Sequence, residues 1–312
     1  MDNSNRTLVT GFTLLGLSTV PSLKVFFFFL FLLMYMGTLS GNFLLIIVVR
    51  INCRLQTPMY FFLSNLSVID ICFSTTIVPK MLSNTLSQDK TISFMGCAAQ
   101  LYFHLALGAT ECMLLAIMAY DRYIAICKPS KYTTIMSQKL CFILTSGCWI
   151  TSFLNAWIHV VFTFQLPFCK SNHVDHFFCE MPPLFRLSCK DTWFNEVAVY
   201  ISGGLNAFCS FLLTLLSYVL ILFTVFKIHC TDGRHKAFST CASHLIVVTL
   251  YYGTIIIMYL RPQSNYSPDR DRVVSVLYTV VTPMLNPLIY SVRNKDILGV
   301  IRKAKKKNRV IF

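Results

Sequence analysis

Seven stretches of the chain are apolar almost without interruption, and short polar segments separate them. The windows are Val25–Val49, Pro58–Met81, Phe94–Ile117 with a continuation to Cys127, Lys139–Phe162, Val197–Phe226, Ala237–Leu260 and Val273–Val292. Each reaches the roughly 20 residues a helix needs to cross the hydrocarbon core of a bilayer. Lipid offers no hydrogen bonds, and a helix satisfies its own backbone, so the pattern predicts an all-α membrane protein, a bundle of seven transmembrane helices. No period-2 alternation points to a membrane barrel. The expected organisation is an N-terminus over 1–24, a bundle over 25–292 and a tail over 293–312.

Composition supports lipid as the solvent. Of 312 residues, 55% are hydrophobic, 13% are charged and 27 are Phe. That is more apolar surface than a soluble domain of this size can cover. The net charge of +14 then fixes an orientation. With the N-terminus outside, the inner segments carry an excess of +14 and the outer ones only +2, which places the basic side in the cytoplasm. The excess sits in short loops and a tail against the membrane, so anionic lipid rather than nucleic acid is its partner. The tail holds eight Lys/Arg and one acid over 293–309 and reads as a short amphipathic helix on the membrane surface. The first 24 residues have no apolar core with a small-residue cleavage site, so the first span is expected to serve as the insertion signal.

Against that apolar background the polar residues inside the spans stand out. Asp70 and Glu111 are carboxylates deep in helices, where an unpaired charge costs about 2.5–3.5 kcal/mol on the lenient insertion scale. Each therefore needs a partner. At 3.6 residues per turn, His104, Gly108, Glu111, Leu115, Met118 and Arg122 share one face of the third span, a stripe expected to face the bundle. Pro283 and Pro287 interrupt the last span and free backbone carbonyls that Asn286 or water could satisfy. Of 13 cysteines most lie in spans, as small buried hydrophobes do. Cys97, Cys169, Cys179 and Cys189 lie outside and suit two disulfides, with three pairings open. Asn5-Arg6-Thr7 is a glycan acceptor on the N-terminus. His176 and Glu180, which flank Cys179 in the second outer loop, are metal-ligand residue types.

Five motifs occur in order at matching depths. They are Gly41-Asn42, Leu55-Gln56-Thr57-Pro58-Met59-Tyr60, Met118-Ala119-Tyr120-Asp121-Arg122-Tyr123-Ile124-Ala125-Ile126-Cys127, the stretch from Lys236 to Leu245, and Pro283-Met284-Leu285-Asn286-Pro287-Leu288-Ile289-Tyr290. Together they resemble the odorant receptors, a branch of the rhodopsin-like G protein-coupled receptors, from about Phe12 to Lys303. Gln56 stands where the family usually has histidine, and Val292 where leucine is common.

The resemblance implies a plasma-membrane receptor, not an enzyme, with an extracellular N-terminus. It would bind a small volatile, mostly apolar ligand and activate a stimulatory, olfactory-type G protein to raise cAMP. It implies disulfides Cys97–Cys179 and Cys169–Cys189. It gives Arg122 contact with the G protein and Asp121 the task of holding that arginine at rest, with Tyr123, Tyr218, Lys236, Asn286, Pro287 and Tyr290 in coupling and activation. Asp70, Glu111 and Asn286 would meet at mid-membrane and hold sodium or a proton. The ligand candidates by depth and face are His104, Leu105, Gly108, Ser202, Asn206, Tyr252, Ile255, Tyr259 and Thr279. A non-olfactory rhodopsin-like receptor is the alternative reading. An ion transporter or channel using the two carboxylates is a third, without the matched broken helices such a fold uses.

Overall fold

The computed structural model describes residues 10–17, 20–169, 171–227, 231–259, 268–292 and 299; at 54, 231–237, 239, 240, 258, 259, 268, 269 and 292 it describes the backbone alone. In chain order the helices are α1 (Pro21–Ile51), α2 (Pro58–Leu86), α3 (Phe94–Cys127), α4 (Tyr132–Ile135), α5 (Gln138–Phe164), α6 (Met181–Arg186), α7 (Trp193–Phe226), α8 (Thr231–Tyr259), α9 (Pro268–Val276) and α10 (Thr282–Val292). A π-helical turn, Leu277–Val281, joins α9 to α10. Among the described residues, six helical segments are long and apolar enough to span a membrane, the sixth being Arg270–Ser291. The seventh crosses as the shorter apolar stretch Cys241–Ile257 of α8. The protein is a seven-helix membrane bundle.

Local chemistry explains the boundaries. Prolines at the first helical turn start α1 and α2, where the missing N–H costs nothing. Ser93 and Ser137 cap α3 and α5 by accepting from the N–H of Gly96 and Leu140. Several helices run past their apolar windows, because a helix continues through the polar interface until a cap or turn stops it.

α3 is the axis of the bundle and packs against α2, α5, α7 and α8, while α10 closes the ring against α1, α2 and α8. Outward faces are apolar and exposed, with Leu33 72% and Phe223 65% accessible, as lipid contact requires. The polar and charged side chains Asp70, Glu111, His244 and Asn286 are buried inside the bundle instead.

One feature falls outside the helical pattern. β1 (Gly11–Leu14) pairs antiparallel with β2 (Thr91–Ser93) and parallel with β3 (His173–Val174). The small sheet ties the N-terminal segment to the first and second outer loops. Gly11 is required there, since a Cβ would meet the Ile92 carbonyl oxygen at 2.7 Å. Phe12 and Leu14 are fully buried, and the Phe12 ring meets Phe168 edge-on at 5.3 Å. This strand is thus a structural part of the lid, which the polar composition of the N-terminal region does not announce.

Candidate functional site

Mid-membrane, three helices bring polar side chains together. Asn286 Nδ2 donates to Asp70 Oδ1 at 3.0 Å and Oδ2 at 3.1 Å, and both residues are 1% exposed. Glu111 of α3 is buried against the same amide, and among the described residues its Oε1 and the Asn286 Oδ1 have no hydrogen-bond partner. The three residues expected at mid-membrane are therefore neighbours in space. The proline hinge is answered differently from expectation. Pro287 cannot donate to the Pro283 carbonyl, and Asn42 of α1 fills the gap, its Nδ2 lying 3.2 Å from that oxygen. Asn286 is engaged with Asp70 instead. Gly41 lets α1 approach: a Cβ on it would sit 3.0 Å from Pro287 Cγ.

At the inner end, Asp121 is 1% exposed and accepts from the Tyr132 hydroxyl at 2.8 Å. Among the described residues no Asp121 oxygen lies within ion-pair distance of Arg122, so the expected pair between them is not formed in this structure. Burial, then the Asp121 charge, pushes the Tyr132 phenol well above its ordinary range, so it remains a donor. The Tyr218 hydroxyl and His244 Nδ1 are 2.6 Å apart across α7 and α8. Tyr290 is 3% exposed. Lys128 Nζ lies 5.6 Å over the Tyr123 ring. The side chain of Lys236 lies outside the described residues.

At the outer end, Cys97–Cys179 pins the second outer loop to α3, and Cys169–Cys189 closes the loop on itself. Both pairings are those the resemblance implied. Gln100 assists: it accepts from the Cys179 N–H at 2.9 Å and donates to the Thr76 carbonyl at 3.0 Å. The loop sends Phe178 inward, where its ring lies 4.9 Å from His104, with Phe73 at 5.3 Å and Tyr278 at 5.9 Å completing an aromatic cage. Asp175 pairs with Arg272 of α9, so the loop is also tied to the last span. His176 Nε2 and Glu180 Oε2 are 3.7 Å apart. Among the described residues no third His, Cys, Asp or Glu joins them in a metal-holding group.

The remaining ligand candidates fall into two groups. Gly108, Tyr252, Ile255 and Thr279 lie among the helices of the main core. The Gly108 carbonyl accepts from Tyr251 at 2.6 Å, and Tyr252 donates to the Cys112 carbonyl at 3.4 Å. Thr279 is fully buried, bonded to the Ser275 carbonyl. Ser202 instead pairs with His159 of α5 at 2.6 Å, and Asn206 accepts from Ser210 at 3.4 Å. Leu105 packs toward the lid cluster rather than the cage. The side chain of Tyr259, like Asn5, lies outside the described residues. An open cleft of about 460 Å³ between α2 and α3, lined by Lys80, Thr91, Ser93, Gln100 and Phe103, involves none of these candidates.

The profile of a family described as "Olfactory receptor" matches residues 31–307. The chain is 50% identical over 303 residues to olfactory receptor 5AP2 of Mus musculus, covering 97% of this chain and 96% of that one. It is 48% identical over 312 residues to olfactory receptor 5G3 of Homo sapiens, covering 100% and 99%. It is 50% identical over 297 residues to olfactory receptor 5F1 of Homo sapiens, covering 95% of each. This chain belongs to the olfactory receptor family. It is an odorant receptor of the G protein-coupled class and not an enzyme.

In this olfactory receptor, several residues that organise the site lie outside the sequence candidates. His244 falls in the motif at the start of α8, where nothing sets it apart, yet it is fully buried against Tyr218. Tyr132, Tyr251 and Gln100 carry no intrinsic signal, because a tyrosine or glutamine in or beside a helix fits many packings equally well. Asn42 does have a signal: an amide one position after a glycine, in a span whose other polar side chains are the small hydroxyls Thr38 and Ser40.

Proposed function

We propose that this receptor resides in the plasma membrane with its N-terminus outside, binds a small volatile, mostly apolar odorant in the outer half of the bundle, and activates a stimulatory, olfactory-type G protein that raises cAMP. The observation that carries this reading is a file of buried polar side chains running inward from the aromatic cage. It comprises the buried His104, Glu111, Asp70, Asn286, Tyr290, His244 and Tyr218 and the half-buried Arg122, with Asn286 bonded to Asp70 and Tyr218 to His244. A ligand at one end and a docking protein at the other both act on the helices that carry these groups, which is what a population shift needs.

His104, Gly108, Tyr252, Ile255 and Thr279 surround the odorant together with the loop's Phe178. Leu105, Ser202, Asn206 and Tyr259 complete the outer wall. Arg122 engages the G protein, and Asp121, Tyr123, Tyr218, Lys236, Asn286, Pro287 and Tyr290 set the equilibrium between resting and active states. Asn5 carries the glycan, and the basic tail lies on anionic lipid.

The mid-membrane cluster takes up one monovalent cation, sodium or a proton. The orphaned oxygens Glu111 Oε1 and Asn286 Oδ1, beside the Asp70 carboxylate, are hard oxygen donors of the type such a cation prefers. Bound there, the cation neutralises charge between α2, α3 and α10, and the three side chains hold those helices together.

A broad odorant panel in cells supplied with the olfactory G protein, read by cAMP, tests the reading. Responses to a hormone panel alone, or ligand-evoked current without a G protein, would sink it. Replacing external sodium at fixed pH, and varying pH at fixed sodium, distinguishes the two cations; in Asp70→Asn the sensitivity to either disappears.

A further inference from the structure

At the lid end of the bundle, away from the odorant candidates, lies a second, smaller hollow of about 20 Å³ between α1, α2 and the loops, apolar at Leu17, Phe27, Met81 and Phe177 and polar at Lys24, Asn84, Thr85 and Lys90. One water needs roughly 10–15 Å³ of such space, so the hollow admits a single atom-sized guest or the tip of a larger one.

Its chemistry is lopsided. Asn84 is 4% exposed, yet neither its amide nitrogen nor its carbonyl oxygen bonds any described protein group. A buried amide left in that state is costly unless some further group meets it. Thr85 donates its hydroxyl to the Met81 carbonyl at 2.7 Å and makes no hydrogen bond to Asn84. Lys24 and Lys90 are both partly buried, and among the described residues neither has a carboxylate within ion-pair distance. Asp89, beside Lys90 in sequence, is exposed and accepts from the Thr91 N–H at 2.9 Å. The first turn of α1 holds no acid and adds its own partial positive charge. The C-terminus of α2 works against this with a partial negative charge, which two full ammonium charges exceed.

We propose that this hollow binds a small monovalent anion, chloride or the carboxylate tip of a small organic acid, between Lys24, Lys90 and the Asn84 amide. Phe177 in its wall meets Phe178 in a tilted ring contact at 5.0 Å, and Phe178 reaches His104. An anion there braces the lid over the cage from the side of α1 and α2. It is a second ligand site, separate from the odorant candidates and from the mid-membrane cation cluster.

The purified full-length receptor in nanodiscs is unfolded thermally at constant ionic strength while chloride or acetate replaces methanesulfonate. A saturating rise of about 5 °C is expected. A rise with chloride alone assigns an inorganic ion, with acetate alone a carboxylate, and with both an unselective anion site. The double variant Lys24→Gln/Lys90→Gln loses the rise, and so does Asn84→Leu, which fills the hollow without altering charge. Identical midpoints in all three salts mean that the guest is water and overturn the proposal. A rise that persists in either variant places the anion elsewhere and overturns it too. Should the double variant not fold, Asn84→Leu and Lys90→Gln singly distinguish the same two outcomes.

Discussion

The Tyr132 hydroxyl donates to Asp121 Oδ1 at 2.8 Å, so the acid beside Arg122 is held from the second inner loop and not by the arginine. We expect Arg122 to compete with Tyr132 for that carboxylate, whose Oδ2 has no hydrogen-bond partner among the described residues, and the outcome to set whether the arginine is free for the proposed G protein contact. Tyr132→Phe removes one competitor and hands Asp121 back to Arg122. A hydrogen bond to a charged group contributes about 1.5–3 kcal/mol, so the odorant concentration for half response rises roughly tenfold or more. Surface expression stays at the wild-type level. Dose–response curves for cAMP beside surface labelling check this, and an unchanged or left-shifted curve refutes the competition.

Arg122→Ala removes the proposed G protein contact itself. Signalling should vanish while the receptor still reaches the surface, because among the described residues Arg122 makes no short-range ion pair whose loss would unfold the bundle. A variant that signals normally would leave the inner end of α3 without the assigned role.

The approach of α1 to α10 depends on Gly41. An alanine Cβ, 3.0 Å from Pro287 Cγ, forces a shift of a few tenths of an ångström, and leucine forces much more. Overpacking of this kind costs about 1–3 kcal/mol. Gly41→Leu should therefore lower the unfolding temperature and surface level, and weaken the Asn42 bond to the Pro283 carbonyl. Gly147→Ala is the control, since a Cβ there meets nothing within 4 Å, and it should behave as wild type.

Glu180 gives the lid a pH dependence. Burial, with Asp271 adding to it, raises its carboxyl from 4.5 to about 7. A carboxyl raised in the folded state favours folding fully below its unfolded value, and that contribution fades as pH climbs from about 4.5 to about 7. His176, lowered to about 3 chiefly by burial and next by Arg272, stays neutral throughout and contributes no step here. Thermal midpoints of the wild type should therefore fall between about pH 5 and about pH 7.5, and Glu180→Gln should flatten that decline. A slope unchanged in the variant would assign the effect to another group.

The two disulfides should differ in weight. Cys97–Cys179 closes a separation of 82 residues and Cys169–Cys189 one of 20. Chain entropy alone gives about 4.5 and about 3 kcal/mol respectively. The first also fixes the Gln100 contact and the inward Phe178. Cys97→Ser should abolish odorant responses, whereas Cys169→Ser should reduce expression and leave part of the response. Equal losses in both would mean that the loop folds as one unit.

Seven apolar windows, the inward stripe of α3 and the one-sided charge excess are all legible in the chain, because lipid imposes length and polarity residue by residue. The Asp70–Glu111–Asn286 cluster is legible too: carboxylates at that depth demand partners wherever they occur. Tertiary structure alone decided which partners were taken. Asp121 found Tyr132, Asn42 found the carbonyl freed by Pro287, and Ser202 turned to His159, since hydrogen-bond choice depends on distances between helices far apart in sequence. The β1 strand over Gly11–Leu14 is the sharpest case, for its four residues acquire a fold only once two distant loops supply edges to pair with.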